Sequence, residues 1–333
     1  MISIIIPVYN SEKTIERLLE SIFRSSYKKF EVIIVDAEST DLTLEIVKGF
    51  QVRIITHTNA GPGKARNLGV KNANYDRVMF FDSDVVVFKD TIEMAIEAMN
   101  RTGADVVNGH YSVEPTNKGL FPLYKCLMDQ HIYTQGDLGN YPVFEAKCCL
   151  TKKRVFLETG GYNEKFTFQV PTENEEFGFR ISPKFKMILD PNIIVKHQFP
   201  GFWKLCSVYF WRTFWWMKFF LHKRKSFTPS CSTTLGMAIG TLSATATLIL
   251  LGASISFPPA ISGAAVALIL YLFYLRGFFR IVIRTHPSLL PIFIPINIFF
   301  SCITTMGACC SLIDSAVRKL AGNDYHERLF SDS

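Results

Sequence analysis

The chain has 333 residues, with 36 Lys and Arg against 29 Asp and Glu, a formal charge of +7, and 48% hydrophobic residues. The mean hydropathy of +0.18 is too high for a purely soluble domain, and the apolar excess collects after about residue 230. The basic clusters flank apolar segments (His222, Lys223, Arg224 and Lys225; then Arg276, Arg280 and Arg284), which suits anionic lipid and argues against a nucleic-acid partner.

Met1 runs straight into the strand-like Ile2–Val8, leaving no signal peptide and predicting an N-terminal domain that stays in the cytoplasm. Asn10 or Ser11 is placed to cap a helix with Ile15, Leu18, Leu19, Ile22 and Phe23 on one face. A strand over 31–36 ends in Asp36, a helix follows over 41–50 with Asp41 as its cap, and a strand follows at 52–56. Gly61-Pro-Gly63 turns the chain into a helix reaching Asn72, and Arg77–Phe81 is a fourth strand, ending at Asp82-Ser-Asp84. Alternating strands and helices with short links predict parallel strands, right-handed crossovers, and ligands at the strands' carboxyl ends. Residues 110–200 are less regular: a helix over 120–133, a strand over 143–150, a helix over 152–159, a turn at Gly160-Gly-Tyr162 and an acidic segment over 172–180.

Residues 202–222 hold all four tryptophans, interleaved with Lys204, Arg212 and Lys218. This reads as an amphipathic helix in the membrane interface, with an aromatic core helix as the alternative. Apolar runs follow over 235–256, 261–275 and 289–313. A bilayer span needs roughly 20 apolar residues, so the first and third qualify, and the second does if it extends past Arg276 and Arg280. Arginines between the second and third runs predict a cytoplasmic loop; three spans are favoured, although the third then puts Arg318 and Lys319 outside. The eight cysteines show no paired C-x-x-C spacing and read as reduced, buried thiols.

Three features carry chemistry. Asp82 and Asp84, two residues apart at a strand end, can hold a hard divalent cation, Mg²⁺ or Mn²⁺; a surface turn would use the same residues. Asp36 can meet the base or ribose of a nucleotide. Gly61-Pro-Gly-Lys-Ala-Arg-Asn-Leu-Gly69 brings backbone close to a ligand and adds charge through Lys64 and Arg66, yet matches neither a P-loop nor a dinucleotide fingerprint.

Together these motifs resemble family 2 glycosyltransferases. Ile5-Ile-Pro-Val-Tyr-Asn10, Val35-Asp36 with Ser39-Thr-Asp41, Gly63-x-x-Arg-Asn67, Phe81-Asp-Ser-Asp84, Gly160-Gly-Tyr162 and Thr172-Glu-Asn-Glu-Glu-Phe-Gly-Phe-Arg180 stand in that family's order and spacing over residues 1–200. The resemblance implies an α/β, GT-A catalytic domain with a Rossmann-like, mostly parallel sheet over 1–200, and the composition beyond it adds an interfacial helix over 201–228, two to three transmembrane helices over 229–316 and a polar tail over 317–333. The resemblance also implies inverting transfer from a nucleotide-diphosphate sugar at a membrane, with a lipid acceptor such as a polyprenyl phosphate or a glycolipid. The donor-binding residues would be Pro7, Tyr9, Asn10, Asp36, Lys64, Arg66, Asp82 and Ser83. Asp82, Asp84 and His197 would be the metal ligands, while Arg180 would pair with acids or with phosphate, and Arg212 would meet acceptor or phosphate.

The family's acidic segment usually places an aspartate, the base, where this chain has Asn174, and an amide cannot take a proton. Glu173, then Glu175 or Glu176, are the candidate substitutes, and an already ionised phosphate acceptor would need little base. Tyr209-x-x-Arg212-x-x-Trp215 falls where processive synthases carry Q-x-x-R-W, without the glutamine. A processive synthase and a donor-binding protein without turnover are the remaining readings.

Overall fold

The computed structural model describes residues 1–58, 61–133, 138–166, 172–223 and 234–322. The basic side chains at His222, Lys223, Arg224 and Lys225 and the polar tail beyond 322 lie outside the described residues. The chain divides into two compact units, Met1–Lys118 with Asp137–Phe199, and Gly119–Gly136 with Pro200–Asp332. The stretch expected as one domain over 1–200 is thus interrupted by a helix that belongs to the second unit.

The first unit is built from β1 (Ile2–Val8), α1 (Ile15–Phe23), β2 (Phe30–Asp36), α2 (Thr43–Val47), β3 (Arg53–Thr56), α3 (Pro62–Lys71), β4 (Arg77–Phe81), β5 (Val85–Val87), α4 (Thr91–Thr102) and β6 (Val106–Tyr111). After α5 (Leu120–Tyr133) departs to the second unit, it continues with β7 (Cys148–Lys152), α6 (Lys153–Thr159), α7 (Glu173–Ile181) and β8 (Met187–His197). One sheet runs in the order β3-β2-β1-β4-β7-β6-β8-β5. β7 and β5 run antiparallel to their neighbours, and the other pairings are parallel, giving the expected mostly parallel sheet. The reversed β7 was not expected; the chain re-enters the sheet there after its excursion through α5, with no βαβ crossover to impose a parallel entry.

β1 is apolar nearly throughout because both of its faces are covered. Ile4 and Ile6 join one core with Leu18 and Ile22 of α1 and Ala95 and Met99 of α4. Ile5 points to the other face, with Ala65 and Val70 of α3, Phe156 of α6 and Phe177 of α7. A Cβ on Gly69 would stand 2.4 Å from Ile5 Cγ2, so a side chain there would push α3 off β1. The expected cap of α1 is not made: the helix starts after Thr14, and the Ser11 carbonyl, not a side chain, accepts the Thr14 and Ile15 amides. Asp41 likewise precedes the cap; its carboxylate accepts the Thr43 amide at 3.0 Å and the Glu12 amide at 3.1 Å, tying two loops together.

In the second unit α5 packs with α8 (Phe202–Lys223), α9 (Leu235–Ala253), α10 (Ala260–Tyr274), α11 (Arg276–Thr285) and α12 (Leu290–Leu320). Tyr124 and Leu127 of α5, Leu205 of α8, Tyr271, Phe278, Phe293 and Phe300 share one core, and Asn297 donates to the Tyr124 hydroxyl at 2.9 Å. Residues 235–253 and 287–320 are long and apolar enough to cross a membrane, and α10 with α11 forms a third candidate bent by 63°. The last helix outruns the expected 289–313 because Asp314 and Arg318 pair one turn apart and carry it onward. α8 lies along α12 with Phe219 and Lys218 buried, while Trp203 and Trp211 stay exposed. A Cβ on Gly307 would sit 2.6 Å from the Phe210 carbonyl oxygen, so glycine permits this approach. The helix therefore combines features of both sequence readings, one face packed and one open.

Candidate active site

The chain order reverses around β1: β2 and β3 lie on one side, and β4 on the other. The carboxyl ends of β1 and β4 therefore bound the crevice of a topological switch point, where open α/β sheets take ligands. The register pairs Val8 with Asp36 and Ile5 with Phe80, so Asp36 and Asp82 share this rim. The Ser11 and Ser83 hydroxyls meet across it at 2.9 Å.

The donor-side loops are held by their own polar groups. Asn10 and Glu38 have positive φ, at 48° and 59°, a conformation that costs a non-glycine residue roughly 1–2 kcal/mol but is easiest for asparagine. The cost at Asn10 is offset by hydrogen bonds: its amide donates to Ser39 Oγ at 3.0 Å, and its Oδ1 accepts the Thr40 amide at 2.8 Å. Asp36 is fully buried and its carboxylate accepts the Ser39 amide at 3.2 Å. Pro7 and Lys64 are half-buried and Tyr9 is exposed.

Arg66 is the hub. Its side chain is 4% exposed, donates to Asp82 Oδ1 at 2.8 Å, and sits 3.8 Å from Glu173 Oε1. The guanidinium also lies over the Tyr162 ring, 5.5 Å from its centre. Its Nε and Nη1 have no hydrogen-bond partner among the described residues. Burial disfavours a charged guanidinium, but the neighbouring Tyr162, Asp82 and Glu173 outweigh it and raise the group further above its ordinary range. Arg66 thus links the end of β4 to the start of α7 from beneath.

Asp84 has a different partner. β5 begins just after it and pairs antiparallel with β8, bringing Val85 opposite His197. His197 Nε2 consequently lies 3.1 Å from Asp84 Oδ2, and the His197 ring packs against Tyr111 and Phe199. The sequence offered no sign of this aromatic seat, because Tyr111 and Phe199 lie far from His197 or beside it without a motif. A hard carboxylate and an imidazole this close can share one divalent ion. No group of three metal-type side chains forms among the described residues, so such an ion would take its other ligands from substrate phosphate and water, as Mg²⁺ commonly does. On that chemistry the residues fit a partial shell.

Two members of the acidic segment, Glu176 and Asn174, are engaged by neighbouring side chains. Glu176 is buried and holds Arg180 through two contacts, at 2.8 and 3.1 Å. Arg180 also donates to the carbonyls of Thr159 and Gly161, so of its two expected roles the structure shows the pairing with acids. Glu175 is 5% exposed. Asn174 Oδ1 accepts a hydrogen bond from the Tyr162 hydroxyl at 2.9 Å. Burial pushes that phenol well above its ordinary range, so it remains the donor. Arg212 is exposed on α8, in the second unit.

Tyr162 and Asn67 are the members that the sequence reading left as a turn and a motif letter. The Asn67 side chain clasps Tyr162 reciprocally, accepting its amide at 2.8 Å and donating to its carbonyl at 2.9 Å. Gly161, at φ 73°, leaves room for Asn67 Oδ1, and Gly63 leaves room for the Tyr162 ring. The recurrence of small residues at 63 and 161 was the available signal.

Residues 3–160 match the family model described as glycosyl transferase family 2. The chain is 35% identical over 147 residues to the poly(ribitol-phosphate) beta-N-acetylglucosaminyltransferase TarS of Staphylococcus aureus (strain Mu50 / ATCC 700699), covering 40% of this chain and 26% of that protein. It is 30% identical over 172 residues to glycosyltransferase GlyA of Streptococcus pneumoniae serotype 4, covering 46% of this chain and 25% of that one. The chain thus spans about a quarter of the length of these relatives. Among solved structures, the mannosyltransferase PcManGT of Pyrobaculum calidifontis, in complex with GDP-Man and Mn²⁺, superposes with a TM-score of 0.55 at 19% identity, covering 96% of this chain and 86% of its own. Residues 1–349 of S. aureus TarS give 0.51 at 17%, covering 96% and 91%. These likenesses show the fold. Residues 3–160 of this chain thus match the glycosyl transferase family 2 model and lie on a sheet of the fold these neighbours share.

Proposed function

We propose that this protein transfers a sugar, with inversion, from a nucleotide-diphosphate sugar to a lipid acceptor, a polyprenyl phosphate or a glycolipid, at the cytoplasmic face of a membrane. The observation that carries the donor half is the placement of Asp82, Ser83 and Asp84 at the switch-point crevice, with Arg66 beneath Asp82 and His197 against Asp84. Neighbours of the same fold bind GDP-Man with Mn²⁺ in one case and UDP in another, which supports a nucleotide donor. Two helices long and apolar enough to cross a membrane, and a third bent candidate, support the tether. Arg276, Arg280 and Arg284 between the apolar runs support a cytoplasmic orientation.

In this reading the base and ribose lie along the ends of β1 and β2, near Pro7, Tyr9, Asn10 and Asp36. Asp84 and His197, with Asp82 beside them, would hold Mg²⁺ or Mn²⁺, which as a Lewis acid neutralises charge on the departing diphosphate. Arg66 fixes the Asp82 carboxylate in one rotamer, so the rim is ordered before the donor arrives. The acceptor oxygen approaches the anomeric carbon from the face opposite the diphosphate, as inversion requires. Tethering raises the effective concentration of a membrane-borne acceptor over one reached by diffusion.

The test is metal-dependent release of nucleoside diphosphate from a panel of UDP- and GDP-sugars, with and without lipid extract. Turnover that requires lipid is expected; long polymer would point to a processive synthase, and binding without turnover to a donor-binding protein. Asp84→Ala is expected to abolish metal-dependent donor binding, and unchanged affinity in titration calorimetry would refute the site.

A further inference from the structure

We propose that Tyr111, with the buried Glu145–Lys147 pair behind it, is a positioning residue for His197: it fixes the imidazole toward Asp84 so that the two side chains can share one divalent ion. The inference rests on the metal reading above and deepens it.

Three strand pairings bring the parts together. Asp84 leads into β5, and β5 pairs with β8, so Val85 stands opposite His197. β8 pairs with β6, where Val195 stands opposite Tyr111. β7 runs against β4 with Cys148 opposite Phe81, so residues 145–147 enter the sheet at the rim where Asp82–Asp84 leave it. The reversal of β7 thus brings a glutamate and a lysine to this end of the sheet.

Backbone contacts fix where His197 starts. Its carbonyl accepts the Thr116 amide at 2.9 Å, and the Asp84 carbonyl accepts the Gln198 amide at 3.1 Å. They do not fix the ring. An imidazole that binds metal through one nitrogen usually hydrogen-bonds through the other, which sets its orientation. In His197, Nε2 is the nitrogen beside Asp84, while Nδ1 is buried with no hydrogen-bond partner among the described residues. Packing takes the place of that bond. The Tyr111 and Phe199 rings lie 4.5 and 4.6 Å from the imidazole, and 5.2 Å from each other at 76°. Close-packed rings of this kind restrict one another's torsions.

Lys147 in turn holds Tyr111. Its ammonium lies over the Tyr111 ring, 4.8 Å from the centre. Lys147 is buried and pairs with Glu145, whose carboxylate also accepts the Tyr141 hydroxyl at 2.6 Å and whose amide donates to Asn108 Oδ1 at 2.9 Å. A buried ion pair adds little net stability, because desolvating both charges offsets their attraction. Placed at the rim, on a ring that abuts His197, this pair is accounted for by the orientation it imposes. Nitrogen is a softer donor than carboxylate oxygen, and Mg²⁺ prefers oxygen, so an oriented imidazole should favour Mn²⁺ over Mg²⁺.

The experiment uses the full chain in detergent with Mn²⁺ as the probe, read by electron paramagnetic resonance, with Mg²⁺ as competitor and UDP or GDP added. The natural chain is expected to bind Mn²⁺ with a nitrogen coupling, and His197→Gln should remove that coupling. Tyr111→Leu, which keeps an apolar side chain, should also lose it and weaken Mn²⁺ several-fold while Mg²⁺ changes less. Tyr111→Phe, which keeps the ring, should retain both coupling and affinity. Lys147→Met combined with Glu145→Gln leaves neither charge buried alone, and should lower Mn²⁺ affinity by a smaller factor. Coupling that survives in Tyr111→Leu or His197→Gln, an equal fall for both ions, or Mn²⁺ bound by the natural chain without nitrogen coupling would overturn the proposal. The double variant at natural affinity would overturn the part given to Lys147. If circular dichroism shows Tyr111→Leu unfolded, the double variant carries the test. A natural chain that binds no Mn²⁺ with either nucleotide would instead refute the metal reading itself.

Discussion

Gly161→Ala is expected to destabilise the sheet unit by about 2 kcal/mol more than Gly160→Ala. Both glycines have left-handed backbone, at φ 73° and 77°, so alanine incurs roughly 1 kcal/mol at either site. Both substitutions also narrow the unfolded ensemble equally, a gain of about 0.4–1 kcal/mol that cancels in the comparison. The surroundings differ. A Cβ at 160 meets nothing within 4 Å, whereas one at 161 would sit 2.3 Å from Asn67 Oδ1. Asn67 must then withdraw, breaking its two hydrogen bonds to Tyr162 at about 1 kcal/mol each. For a unit of ~150–250 residues, 2 kcal/mol corresponds to about 4–8 °C in Tm. Thermal unfolding followed by circular dichroism on the two variants side by side measures the difference. Because Tyr162 also covers Arg66 and holds Asn174, Gly161→Ala should weaken transfer more than Gly160→Ala. Equal melting temperatures would refute the clasp.

Asp105 bears on acid stability. Burial alone would raise its carboxyl, but hydrogen bonds from Lys152 and Arg154 and the Lys186 amide bring it below its ordinary 3.8. A depressed carboxylate contributes stability that is full above the unfolded value and is lost as pH falls through the lower folded value. Asp105→Asn should therefore cost about 1 kcal/mol at pH 7, a figure kept small because Arg154 is 54% exposed, and should flatten the loss of stability below pH ~4 in urea titrations. In the second unit, Gly307→Val should part α8 from α12, since the new Cβ would meet the Phe210 carbonyl at 2.6 Å. All four tryptophans lie on α8, so their emission should shift and quench more readily in detergent; an unchanged spectrum would count against the packing.

Much of the sheet unit was legible in the sequence because its signals are local. A run such as Ile2–Val8, apolar at nearly every position, has few homes other than a strand covered on both faces, and the 15, 18, 19, 22 spacing has few other than a helix face. Asp82-Ser-Asp84 at the end of an apolar strand placed acids at the sheet's rim, and three long apolar runs announced the C-terminal helices. What composition and spacing could not supply was which partner each acid would take. Asp82 faces Arg66 and Asp84 faces His197 because α3 docks on β1 and β2 while β5 pairs with β8, contacts between residues separated by 16 and 113 positions. The departure of α5 to the second unit, the reversal of β7 and the hold of Tyr162 on Asn174 are likewise long-range events. Periodicity reports how one segment meets an apolar or aqueous surround; pairing of buried polar groups depends on which segments share that surround, and only the folded chain decides it.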